Sequence, residues 1–215
     1  MDPLPLCHTR SLCARVIAVV ALALFIEASS ARPQATAPPH PPSPLSEIVL
    51  TLDPAQSKVH WNVDSTFHTV HGTFALNSGT VHFNPGTGVA GGEIVVYAPS
   101  GQSGNASRDK RMHQEILETA KYPDVTFRPT QVEGKVSRSG PSDVKLTGIL
   151  SLHGADHEIT AIVHASLAGD HWSGTATFDA PYVKWGIKDP STFLLKMQPV
   201  VNIEVEMSGA VSALQ

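Results

Sequence analysis

Alternation with a period of two runs through most of this chain and restricts the folds open to it. Over residues 143–153, one set of alternate side chains is Val144, Leu146, Gly148, Leu150 and Leu152. The other set is Asp143, Lys145, Thr147, Ile149, Ser151 and His153. Successive side chains of a strand point to opposite faces, so this is a strand with one buried face. Residues 159–167 repeat the pattern, with Ile159, Ala161, Val163, Ala165 and Leu167 on one phase. Gly154, Ala155 and Asp156 form the tight connection, so the pair reads as a hairpin.

Further strands follow the same rule. Val59, Trp61 and Val63 alternate with polar residues, as do Gly72, Phe74 and Leu76; Val81 and Phe83 flank His82. Trp172, Gly174, Ala176 and Phe178 form another set, and Val201, Ile203, Val205 and Met207 form the last. Turns are expected at residues 84–86, at Gly91 and Gly92, and at residues 139–141. The fold class is therefore all-β: one antiparallel sheet of about eight strands closed into a barrel, with a sandwich as the alternative. Gly72, Gly134, Gly148, Gly174 and Gly209 fall on inward phases. They mark either barrel corners, where strands bend, or a lumen kept open for a ligand. A Gly148→Leu substitution is expected to separate a filled interior, which it would overpack, from an open one.

One segment breaks the pattern. A helix is expected near residues 107–120, with Ser107 as N-cap, Asp109 in the first turn, and Met112, Ile116 and Ala120 on one stripe. Pro123 stops it. Such a helix either plugs the barrel or covers its mouth as a lid.

The ends of the chain differ from its middle. Arg10 and Arg15 precede an 11-residue apolar run at 16–26 and small residues ending at Ala31. Residues 1–31 read as a secretory leader, the run being shorter than the roughly 20 residues of a membrane span. Both cysteines, Cys7 and Cys13, precede that run, so the exported chain would hold no disulfide. Residues 32–46 contain six prolines and read as a stiff linker, and residues 47–215 as one domain. The formal net charge of -4 offers no basic surface for nucleic acid.

The 11 histidines raise the question of a metal. His60, His71, His82, His153 and His164 lie on the polar phase, and none stands at a recognised ligand spacing, so no metal or other cofactor is expected. No serine or cysteine nucleophile stands in a recognised motif, so no catalytic residue is assigned. The inward face is nearly free of charge, and any ligand held there must be apolar over most of its length. Trp61, Phe74, Phe83, Phe127, Leu150 and Phe178 are the expected wall residues, with Met112 and Ile116 contributed by the helix. Outward-facing Ile149 and Ile162 leave a homodimer open.

Several segments together resemble the YceI-like family of polyisoprenoid-binding proteins over residues 52–211. They are Arg108-Asp109, Lys121-Tyr122-Pro123, Thr126-Phe127, Gly148, Leu152-His153-Gly154 and the strand at 203–207. The resemblance implies a lipocalin-like barrel, exported to a bacterial periplasm, that carries or stores an isoprenoid or quinone-type lipid without catalysis. A carrier that loads and releases such a lipid leaves peripheral membrane contact open. Two stretches depart from the family pattern: Asp156-His157-Glu158, where a threonine and a proline are usual, and residues 182–193, which look like an insertion. A lipid-modifying enzyme and an interaction or stress-response module with a filled barrel are the competing readings.

Overall fold

The computed structural model describes residues 47–137 and 139–213. The expected leader, the proline-rich linker and both cysteines lie outside the described residues. The strands are β1 (Ile48–Leu52), β2 (Lys58–Asp64), β3 (Thr69–Phe83), β4 (Ala90–Gln102), β5 (Asp124–Gly134), β6 (Gly140–Leu152), β7 (Ala155–Ala168), β8 (His171–Ala180) and β9 (Val201–Ala213). All pairings are antiparallel. Consecutive strands pair from β2 through β9, β1 pairs with β3 rather than with β2, and β9 returns to both β1 and β2, which closes the barrel.

Nine strands make eight staves, because β1 and β2 share one. β1 lies between the last residues of β3 and β9, with Leu52 opposite Gly209. β2 lies between their first residues, with Trp61 opposite Gly72 on one side and Ile203 on the other. The break between them is a turn in which Asp53 accepts hydrogen bonds from Ala55 N and Gln56 Nε2 at 2.9 and 2.8 Å.

The inward phases expected for β2, β6, β7, β8 and β9 all face the interior. In β3 the buried phase is even-numbered at Val70 and Leu76 but odd-numbered at Val81 and Phe83. An irregularity between Leu76 and Ser78 inserts the extra residue, so two apparent strands are one strand of 15 residues. The turn expected at Gly91 and Gly92 is instead part of β4, paired with His82 and Val81. The chain reverses earlier, where Asn84 Oδ1 accepts from Gly86 N and Thr87 N at 2.8 and 3.1 Å. The β6–β7 turn consists of His153 and Gly154, both with positive φ (53° and 79°), one residue earlier than the sequence pattern indicates.

The helix starts and ends earlier than expected. α1 spans Ala106–Arg111, and Asn105, not Ser107, caps it by accepting from Arg108 N at 3.0 Å. Met112–Ile116 then winds as a π-turn, with Leu117 N donating to Met112 O at 2.8 Å. The wider turn breaks the four-residue stripe, and Ala120 is exposed. Asn105→Ala is expected to cost roughly 1 kcal/mol, read as faster amide exchange over residues 106–117 with the barrel strands unchanged.

Candidate functional site

The two ends of the barrel are filled differently. Toward the end that holds β1, Leu52, Leu76, Val81, Leu167 and Trp172 pack together, in a cluster that continues through Ile94, Ala161, Ala176 and Met207 into the cavity wall. The other end is hollow: a cavity of about 560 Å³ runs under α1, the π-turn and the loop at 181–200. A volume of this order lies within the roughly 300–1,000 Å³ of small-molecule sites.

Seven of the eight expected wall residues line the cavity: Trp61, Phe74, Met112, Ile116, Phe127, Leu150 and Phe178. Phe83 does not. It is 5 % exposed at the far end of β3, opposite Ile48, beyond the phase shift and in the packed half. Sequence reasoning favoured large aromatics and passed over smaller wall residues such as Ala161, Ala176 and Val205. It also missed Tyr182, Ile187, Leu195 and Met197, which the 181–200 loop turns inward. The available signal was the recurrence of these apolar residues in a stretch punctuated by three Lys and three Pro.

Three of the rings lie over glycines rather than projecting freely into the lumen. A Cβ at Gly72 would stand 2.2 Å from the Trp61 ring, one at Gly101 2.3 Å from Phe74, and one at Gly148 2.7 Å from Phe127. Each glycine lets an aromatic ring lie close against the wall, as in aromatic coverage of strand glycines. The glycines themselves do not line the space. Gly148→Leu therefore cannot separate a filled from an open interior, since its side chain would also strike Arg128 O, 2.5 Å from the Cβ position.

The cover is fastened on both sides. Asp109 accepts a hydrogen bond from Ser103 N at 2.8 Å, and Arg108 donates from Nε and Nη2 to Ser103 Oγ and O at 2.7 and 2.8 Å. On the other side, the Tyr122 ring stands 4.6 Å from that of His153, whose Nε2 pairs with Glu118 at 2.9 Å. Sequence segments 108–109, 121–123 and 152–154 thus anchor the cover and supply little of the wall. The 181–200 loop is tied in separately. Lys188 Nζ donates to Glu115 at 2.9 Å and holds that carboxyl below its ordinary range, with Arg111 adding to the effect. The Trp185 ring stacks on His157 at 4.3 Å and 11°.

Polar groups in the wall are few. Arg108 and Arg111 contribute cations near the cover, and His68 and Ser107 add two further polar groups. Trp61 and Tyr182 are each 7 % exposed, and Trp61 Nε1 and the Tyr182 hydroxyl have no hydrogen-bond partner. Burial, followed by the charge of Asp189, pushes the Tyr182 hydroxyl up to about 12, so it remains a neutral donor. An unpaired buried donor costs about 1–3 kcal/mol, and both atoms are covered by protein rather than open to the cavity.

Among the described residues, His68 is the one histidine in this wall. His164 pairs with Asp143 at 2.6 Å and His60 with Glu206 at 3.6 Å across neighbouring strands, and His82 meets Glu47 at 2.5 Å. Among the described residues, no group of three or more His, Cys, Asp or Glu is arranged to hold a metal ion.

This architecture recurs in solved structures. BcnA of Burkholderia cenocepacia superposes with a TM-score of 0.61 at 16% identity, covering 74% of this chain and 99% of that one. A polyisoprenoid binding domain from Saccharophagus degradans, implicated in plant cell wall breakdown, gives 0.54 at 15% identity, covering 79% and 99%. At such identities the likeness is one of fold. Protein YceI of Escherichia coli O17:K52:H18 is 33% identical over 119 residues, 52% of this chain and 58% of that protein. A UPF0312 protein of Shewanella denitrificans is 36% identical over 84 residues, 38% of this chain and 42% of that protein. The chain thus spans about half the length of these curated relatives. The family model for the YceI-like domain matches residues 50–209, and with a closed barrel beneath that match, the chain belongs to the YceI-like family.

Proposed function

We propose that this barrel carries or stores a long isoprenoid or quinone-type lipid after export to a periplasm, with no catalytic step. The observation that carries this reading is the hollow half of the barrel, whose wall is apolar apart from a few groups near the cover. A solved relative described as a polyisoprenoid binding domain supports the ligand class. The open cavity weighs against the reading of a filled barrel that acts only through its surface.

At about 0.3 kcal/mol per atom for large ligands, a chain of about forty heavy atoms enclosed along its whole length would gain roughly 12 kcal/mol. Since a membrane offers the same chain a similar apolar environment, net transfer depends on small differences, as a shuttle requires.

Native mass spectrometry of protein exported from a producing cell, followed by organic extraction, tests the reading directly. A stoichiometric isoprenoid or quinone is expected, and an empty barrel that also ignores added isoprenoids would overturn it.

A further inference from the structure

Two turns at the hollow end present apolar side chains where local conformation does not require them. In the β2–β3 turn, Ser65 N donates to His68 O at 3.0 Å, leaving Thr66 and Phe67 at the tip. In the 181–200 loop, Thr192 N donates to Leu195 O at 2.7 Å, leaving Phe193 and Leu194 at the tip. The turns are joined: Thr66 N donates to Lys196 O at 2.9 Å, and Lys196 N donates to Thr66 Oγ1 at 3.0 Å. Phe67, Phe193 and Leu194 are 73, 93 and 76 % exposed, the three largest exposures among the large apolar residues described. Turn tips ordinarily carry Gly, Asn, Asp or Ser.

The neighbours of these tips face the other way. His68, Leu195 and Met197 line the cavity, so the exposed tips lie directly behind this part of its wall. We propose that the paired turns are a membrane-docking rim that inserts Phe67, Phe193 and Leu194 into the outer acyl layer of a lipid bilayer. The cavity mouth is thereby set against the membrane, and the inference rests on the lipid-carrier reading above. A chain leaving the cavity past Leu195 and Met197 then enters hydrocarbon without crossing water. Shape and area favour a bilayer over a protein partner. The tips are convex, and three side chains of at most roughly 200 Å² each fall short of the roughly 800 Å² per partner of a stable interface. A fluid surface accepts protruding side chains without a matching socket.

The test uses the full chain and vesicles of phosphatidylethanolamine and phosphatidylglycerol. Hydrogen exchange supplies a local readout, independent of the apolar run at 16–26. Added vesicles are expected to protect amides in peptides covering residues 64–70 and 190–198, leaving the turn at 84–89 at the opposite end unchanged. The triple variant Phe67→Ser, Phe193→Ser and Leu194→Ser is expected to lose that protection. Its transfer of a fluorescent short-chain isoprenoid to vesicles is expected to slow at least about tenfold, given the apolar burial removed, while its binding of the same probe in solution matches the parent. Unprotected turns in a parent chain that binds the probe would overturn the rim and leave the carrier reading standing. Failure of the parent to bind the probe at all would instead remove the carrier reading and the rim with it. Protection that rises with protein concentration in the absence of vesicles would assign the face to a second copy and also overturn the proposal.

Discussion

Ala176→Phe is expected to lower affinity for a long isoprenoid about thirtyfold or more while the barrel stays folded. Ala176 lies on β8 between Val163 and Val205, is 7 % exposed and lines the cavity. A phenyl ring there displaces six or seven ligand atoms, each worth about 0.3 kcal/mol, or about 2 kcal/mol and hence about thirtyfold. Because the ring enters open space, it should avoid most of the roughly 1–3 kcal/mol cost of overpacking a filled core. Isoprenoid titration beside chemical denaturation checks both halves. Loss of stability without loss of binding would mean that the lipid lies elsewhere.

Gly209→Ala is expected to act in the opposite sense, on stability alone. Gly209 faces Leu52 where β1 joins β9, and a Cβ there would lie 1.9 Å from the Thr51 carbonyl oxygen. That neighbour is backbone, fixed in the closure of the barrel, and cannot rotate away as a side chain can. The cost is placed at the upper end of the roughly 1–3 kcal/mol of overpacking, read from the denaturation midpoint. Gly186→Ala provides the contrast. Nothing lies within 4 Å of its Cβ position, and only the strain of φ +83° opposes it, about 1–2 kcal/mol. Equal losses in the two variants would show that the contact with Thr51 is relieved by small shifts.

Most strands were legible because one side of the sheet is buried and the other is wet, which writes a period of two into residues such as 143–153 and 159–167. The bulge in β3 was not legible: Leu76 and Val81 each obey the rule locally, and only their relative phase reveals the added residue. The π-turn was hidden for a related reason, since Met112 and Ile116 fit an ordinary helix and the extra residue shows only at Leu117. The division of the barrel into packed and hollow halves depends on volumes summed across eight staves, which no single strand encodes. Phe83 and Phe74 look alike in sequence and lie in different halves. The two departures from the family pattern have a shared setting that sequence separated: His157 from one stacks on Trp185 from the other.

The stave shared by β1 and β2 has a kinetic consequence. Its partner on one side is the last strand, and the hydrogen bond from Ser57 Oγ to Ser208 O joins residues 151 apart. The barrel therefore cannot close until nearly the whole chain is available, and until then the partial sheet has two unpaired edges. Contacts of such high sequence separation slow folding. A chain built this way keeps its ends apart longest, so a nascent or threading form stays open, and stays in need of protection from edge pairing, until residues 201–213 arrive.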